Sequence, residues 1–566
     1  MKNKFWILAL ITCIIGTMFF SGAARAEDFW QIVRSGSPEE VRTAIEAGAE
    51  VEQKNDQGQT PLMIAARYNR NPRVVEILLD RGAIMEARDN KGRTPLYYAA
   101  AFNSNERVMR ALIWRGAAVN ITTNAGYTPL LRTVENNESR KIDILLNSGA
   151  RVNQRGPEGR TPLFVMLKHT PSRTMVKKFL DAGAAPTAAD NKGRTPFHEA
   201  AEREQKEILE IFTERVTGVD FRDNRQVTPL MLAAAENDGT AVLSFLLEQE
   251  ADINARDRSR RTPLIWAAAE NSSIRVLEFL LEAGANMKIV DDSGQGVLHH
   301  AVASRKRSTD KIQLFGRYND LDINLRDEND NTPLHLALQQ RSLQYQVVKL
   351  LLDQGADPNL EDGSGYTPLM QLAEDNRSPR YFSLLLENGA DVNKAGRRGI
   401  TPLMLAARHT DEEEVIFTLL EAEAEVDISD NRGRKVVDYL EGNRALLDTD
   451  AYWELQYMEP QERKLDKLEF KSPVQGTLRS LAIPSLGHAY ADSWWPKGAL
   501  FLTGEAVTLG LALTREDSSS AAPFYLAFAA IKALEIYDVN QEISSFNEMA
   551  EGYNQRVEEF NRRFQE

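Results

Sequence analysis

Along most of the chain, short and nearly continuous apolar runs alternate with amphipathic segments in a fixed rhythm. Leu62 to Ala66 is one such run. Shortly after it, Val74, Val75, Ile77, Leu78 and Leu79 fall on one side of a helix. Many of these pairs end in a glycine, at Gly82, Gly116, Gly149, Gly183, Gly284, Gly355 and Gly389. Polar Asp/Asn-x-x-Gly stretches, such as Asp89–Gly92 and Asp190–Gly193, separate one pair from the next. The pattern predicts two helices per unit, a left-handed glycine cap after the second, and a tight turn between units.

The units can be counted from a Thr-Pro pair that opens each apolar run, at Thr60, Thr94, Thr128, Thr161, Thr195, Thr228, Thr262, Thr332, Thr367 and Thr401. The spacing is 33 to 35 residues except for one double gap, Thr262 to Thr332, which holds a degenerate unit at Gly296–Ala301. Weaker units begin at Asp28 and Arg434, so thirteen units cover 27–445. The threonine hydroxyl can cap the first helix, and proline at the first helical position gives up no needed N–H. The following leucine faces the core, and alanine pairs such as Ala65-Ala66 and Ala267-Ala268 let the next unit approach closely. A constant period in this range predicts a stacked solenoid.

These residues closely resemble the ankyrin repeat family over nearly three quarters of the chain. The resemblance implies an all-α solenoid of helix-turn-helix repeats with hairpin-like turns, and a protein-binding role whose partner the fold does not identify. Glu250 and Glu423 stand where glycine ends the second helix. A left-handed conformation there would cost about 1 kcal/mol each. Ser304 to Tyr318 is longer and more basic than its counterparts, which predicts a seam in the stack or a contact site.

Catalytic chemistry finds little support. His198, His299 and His335 fall just after Thr-Pro-Leu or its equivalent, where ankyrin units often carry a hydrogen-bonding histidine. His198 and Glu199 begin a metalloprotease-like pattern that lacks its second histidine. No phosphate loop or nucleophile elbow is present, and no cofactor or metal is expected. Cys13 is the single cysteine, so disulfides and thiolate ligands are excluded after it. A formal net charge of -14, or -17 once Lys2, Lys4 and Arg25 are removed, argues against nucleic-acid binding.

Binding is therefore sought on the turn tips and the exposed side of the first helices, which together form a concave surface in such stacks. The tips carry Lys91, Arg93, Tyr127, Arg160, Lys192, Arg194, Arg225, Arg258, Arg260 and Arg261, and the first helices add Tyr68 and Phe102. Beyond Arg261 the sign reverses at Asp291, Asp292, Asp327, Glu328 and Asp330. It turns positive again at Arg397 and Arg398. Units two to seven are read as a basic and aromatic groove for an acidic or extended protein segment. The competing reading is a solvated surface on which each tip cation pairs with a local aspartate.

The two ends differ from the array. Lys2 and Lys4, the apolar run Phe5–Phe20 and the small residues Ala24 and Ala26 predict a secretory signal peptide over 1–26, cut before Glu27. After residue 445 the repeat stops, and 446–472 reads as a connector or short helix. Within 473–540, Pro484, Gly487, Tyr490, Lys497 and Gly498 resemble a small bacterial two-helix domain of membrane-like layout. Its two apolar segments are Ala499–Thr514 and Ala521–Tyr537. Trp494 and Trp495 suit a membrane interface. Glu505 and Lys532 would pair across the hairpin, with Glu535 a further charge inside it. The alternative is a soluble hairpin docked on the last units. Residues 541–566 carry an amphipathic stripe through Ile543, Phe546, Met549, Tyr553, Val557, Phe560 and Phe564.

The expectation is an exported, non-enzymatic scaffold in a bacterial periplasm, associated with the inner membrane through 499–537. A freely secreted protein and a soluble periplasmic binder are the alternatives.

Overall fold

The computed structural model describes residues 29–457 apart from 319, 320, 341, 343, 441 and 448. The chain divides into two compact units, Met1–Leu447 and Asp448–Glu566. In the second, the described part is the helix Asp450–Tyr457 within the connector. The signal peptide, the apolar hairpin with Pro484, Gly487, Tyr490, Trp494, Trp495, Lys497, Gly498, Glu505, Lys532 and Glu535, and the C-terminal stripe lie outside the described residues. Among those described, every regular element is a helix.

The first unit is a stack in two layers. First helices pack on first helices, as Pro61–Tyr68 does on Pro95–Phe102 and Pro229–Glu236 on Pro263–Glu270. Second helices pack on second helices, as Pro72–Asp80 does on Glu106–Trp114. The alanines allow the close approach: Ala65, Ala66, Ala99, Ala100, Ala267 and Ala268 have no exposed surface. One side of the second helices faces this layer, with Val74, Val75 and Leu78 fully buried.

Local chemistry fixes each unit. The Thr94 hydroxyl accepts the Tyr97 N–H at 3.3 Å, and Thr128 does the same for Leu131 at 3.1 Å. Gly82, Gly116, Gly149 and Gly183 have φ between 80° and 95°, and a Cβ at any of them would meet nothing within 4 Å. Backbone conformation alone therefore selects glycine there. Glu250 and Glu423 keep that left-handed geometry, at φ 63° and 64°. Gly92 is doubly constrained, because a Cβ would lie 2.3 Å from Asn124 Oδ1 in the next tip.

Three hydrogen-bond ladders run along the stack. Adjacent tips are joined by backbone bonds, such as Asn124 N to Lys91 O at 3.0 Å and Asn224 N to Lys192 O at 2.9 Å. Pro157 stands at the donor position of its tip and has no N–H, so this ladder is interrupted between the fourth and fifth units. A second ladder passes from side chains to the last carbonyls of the preceding first helix. Asn103 donates to Ala66 O at 2.9 Å, Asn271 to Ala234 O at 2.7 Å, and Asn443 to Ala407 O at 2.9 Å. Elsewhere a longer side chain at another position makes the same contact: Lys141 to Ala100 O, Gln205 to Leu167 O, Lys311 to Ala268 O and Arg377 to Leu338 O. The third ladder links successive second-helix caps, as when Asn153 Oδ1 accepts from Ala185 N at 2.9 Å.

The stretch expected to be irregular contains an ordinary helix, Ser308–Phe315, preceded by Arg307 at φ 51°. Its unusual feature is Lys311, whose side chain is fully buried and donates to Ala268 O at 2.7 Å and Ser304 Oγ at 2.8 Å. Burial, with a smaller contribution from Lys306, pushes its ammonium down from 10.5 to about 8.

Candidate functional site

The turn tips are organised by an aspartate that faces inward. Asp89 Oδ1 accepts the N–H groups of Lys91 and Arg93, and its Oδ2 accepts from Arg93 Nε at 2.7 Å and the Tyr98 hydroxyl at 2.7 Å. Burial alone would raise this carboxyl, but the bonds from Tyr98 and Arg93 outweigh it and hold Asp89 below the usual carboxylate range. Conversely, burial and the bond to Asp89 push the Tyr98 hydroxyl up to about 12. Asp257 repeats the arrangement with Arg261 at 3.0 Å and Trp266 Nε1 at 3.1 Å, and Asp430 with Arg434 and Tyr439. Asp291 uses His300 in the same place, at 2.9 Å.

A sequence signal underlies three of these sites, at Asp89, Asp257 and Asp430: aspartate, arginine four residues later, and an aromatic donor nine residues later. Asp291 keeps the ninth-residue donor but has Gln295 in place of the arginine. Asp190 shows what happens when the signal is broken. Its ninth residue is Glu199, which cannot donate as a carboxylate, and Arg194 turns away to pair with Glu199 and Glu202. Asp190 Oδ2 is then buried without a hydrogen-bond partner, with Arg160 Nε 3.6 Å away.

The tip residues therefore divide in two. Arg93, Arg160, Arg194 and Arg261 are half-buried and held in ion pairs with Asp89, with Glu158 and Asp190, with Glu199 and Glu202, and with Asp257. Local pairing thus exists at these four. Lys91, Lys192, Arg225 and Arg258 are exposed, and Arg225 reaches the Trp266 ring at 5.9 Å. Tyr127 is half-buried. Burial, with Glu135 nearby, raises its hydroxyl. Tyr68 and Phe102 are 39 % and 40 % exposed.

The acidic stretch after Arg261 is partly internal. Asp291 and Asp327 are buried anchors of their own tips, and the outward charges are Asp292, Glu328 and Asp330. Sequence reasoning missed Arg34, Arg67 and Arg132, which surround Tyr68 and Phe102, because only stacking brings residues a full period apart together. It also missed Trp114, 94 % exposed at the end of a second helix.

The histidines are structural. Thr195 N–H points at His198 Nδ1 at 3.2 Å, which leaves the proton on Nε2, and Nε2 meets Val227 O of the next unit at 3.0 Å. His335 makes the equivalent contacts with Thr332 and Tyr366, and His299 with Gly296 and Asn331. Burial pushes His198 down to about 4 and lowers His299 and His335. Among the described residues no group of His, Cys, Asp or Glu is placed to hold a metal ion, and no helix is long and apolar enough to cross a membrane.

Comparison with known proteins agrees with this architecture. Human neurogenic locus notch homolog protein 4 is 39 % identical over 77 residues, which is 13 % of this chain and 4 % of that protein. An ankyrin repeat-containing protein of Schizosaccharomyces pombe is 40 % identical over 58 residues, 10 % of this chain and 28 % of its own. An ankyrin repeat protein of Rickettsia felis is 35 % identical over 81 residues, 14 % of this chain and 36 % of its own. The chain thus spans only a minor part of the length of these curated relatives. The family description "Ankyrin repeats (3 copies)" matches residues 29–123, 166–257, 216–291, 264–362 and 344–430, together more than half of the sequence. The chain belongs to the ankyrin repeat family.

Proposed function

We propose that the chain is an exported scaffold in a bacterial envelope, whose first-helix and tip side holds a protein partner. Ankyrin arrays are protein-interaction scaffolds, and this coarse role needs no special residue beyond the stack itself. The observation that carries the finer reading is exposed Tyr68, Lys91 and Phe102 on units two and three, with exposed Lys192, Arg225 and Arg258 on units six to eight. Exposed guanidinium and aromatic groups are the side chains that dominate interface energetics. They favour an acidic or extended protein segment over nucleic acid, given the net charge of -14.

Export rests on the lysines before Phe5–Phe20 and the small residues at Ala24 and Ala26. Attachment to the inner membrane rests on 499–537, flanked by Trp494 and Trp495 and containing Glu505, Lys532 and Glu535. Alkaline-carbonate extraction of membranes tests the tether. Full-length protein should stay with the pellet, and a chain truncated after Asp448 should be extracted. Extraction of both would remove the tether from the reading, and recovery of the full chain from culture medium would favour a freely secreted protein.

A further inference from the structure

Across the first four units, guanidinium groups and aromatic rings alternate on the exposed end of the first helices. The guanidinium carbon of Arg34 lies 4.4 Å from the Tyr68 ring centroid. That of Arg67 lies 4.8 Å from Tyr68 and 4.7 Å from Phe102, and that of Arg132 lies 6.0 Å from Phe102. The order is Arg34, Tyr68, Arg67, Phe102, Arg132, so each of these two exposed rings has two cations against it, and Arg67 serves both while also lying 5.7 Å from the centroid of the buried Tyr98 ring. Arg132 is also paired with Glu135 at 2.6 Å. Among the described residues, neither Arg34 nor Arg67 forms an ion pair.

Two consequences follow from this geometry. A guanidinium held against a ring is partly desolvated and fixed in plane, yet its edge N–H groups remain able to grip a carboxylate bidentately. The spacing is also bounded. Arg34 and Arg67 flank one ring, so their guanidinium carbons are no more than about 9 Å apart. The corresponding limit for Arg67 and Arg132 across Phe102 is about 11 Å. A polyproline-II segment returns a side chain to the same side every three residues, a rise of about 9 Å.

We propose that this ladder seats an extended acidic segment of a partner protein, with carboxylates three residues apart gripped by Arg34 and Arg67. The intervening residues lie over Tyr68 and Phe102. The proposal rests on the scaffold reading above and assigns it a position, a charge and a spacing. The segment runs along the stack, because the ladder crosses unit boundaries.

The test uses the full chain and two fluorescein-labelled peptides of identical composition, followed by anisotropy at low ionic strength. One peptide has glutamate at every third position, and the other has the same glutamates grouped at one end. The spaced peptide should bind about tenfold more tightly. Arg67→Gln should weaken it by about tenfold or more, and Arg67→Lys, which keeps the charge but loses the fork, should fall between. Unchanged urea unfolding of both variants serves as the folding control. Equal binding of the two peptides, wild-type affinity in Arg67→Gln, or no saturation up to about 1 mM would each overturn the ladder. Phe102 cross-linking to a native partner that is insensitive to Arg67→Gln would also overturn it while leaving the scaffold reading standing. Absence of any partner at that face would remove both.

Discussion

Lys311 offers the sharpest energetic prediction. Its ammonium sits in the interface between the eighth and ninth units, with Ala268 O and Ser304 Oγ as acceptors and no carboxylate among its hydrogen-bond partners. Burial, aided by Lys306 and opposed by Glu270, lowers it from 10.5 to about 8. In the unfolded chain the lysine titrates near 10.5. Between about pH 8 and 10.5 the unfolded state therefore binds more protons, and stability rises with pH. Below pH 8 the burial penalty is fully present; by about pH 10.5 it is relieved. A displacement of that size corresponds to about 3 kcal/mol. Lys311→Met removes the ionisation but leaves Ala268 O without its donor, which adds a pH-independent cost of about 1–2 kcal/mol. Urea unfolding followed by tryptophan fluorescence suits the measurement, because Trp266 shares the helix Pro263–Glu270 with Ala268. The stability of wild type relative to Lys311→Met should increase by about 3 kcal/mol between pH 7 and pH 10.5. Other groups titrate equally in both proteins and drop out of the difference. A difference that stays constant with pH would refute the reasoning.

Other sites give independent checks. His198, at about 4 in the fold, takes up a proton below about 6.5 only when unfolded, so its contribution is present above pH 6.5 and is lost as pH falls towards 4. His198→Gln should flatten that acid limb by about 3 kcal/mol; an unchanged limb in urea titrations at pH 7 and pH 4.5 would contradict this. Glu250→Gly and Glu423→Gly, at φ 63° and 64°, should each raise the urea midpoint by the equivalent of about 1 kcal/mol. A fall at either position would mean that its carboxylate makes a contact outweighing the backbone strain. Tyr98→Phe deprives Asp89 of one donor and Gln59 of its acceptor, and should cost about 1–2 kcal/mol by the same titration. No loss would show that Arg93 alone satisfies Asp89.

The parts of the fold legible in the sequence are those fixed by a residue's own backbone. Thr94 caps, Pro95 starts a helix and Gly116 turns left-handed whatever their distant neighbours are, so the unit and its period can be read directly. The surface was less legible because the same arginine can face inward or outward. Arg93 and Arg258 both belong to tips, yet Arg93 is folded onto Asp89 beneath Tyr98, while Arg258 remains exposed. The aspartate, arginine and aromatic pattern would have separated them. The carbonyl ladder hides for another reason: Asn103, Lys141, Gln205 and Arg377 meet equivalent carbonyls from different positions, so their shared task has no fixed spacing. Arg67 lies only one residue from Tyr68, but its place among Tyr68, Tyr98 and Phe102 depends on the next unit.

The central claim is that a protein partner occupies the first-helix and tip side of the stack. Site-specific photo-cross-linking in intact cells tests it most directly, with the photoreactive residue placed at Phe102 on that side or at Arg140 on the exposed surface of a second helix. The account predicts a discrete protein adduct from position 102, with none from position 140. An adduct confined to position 140 would contradict it.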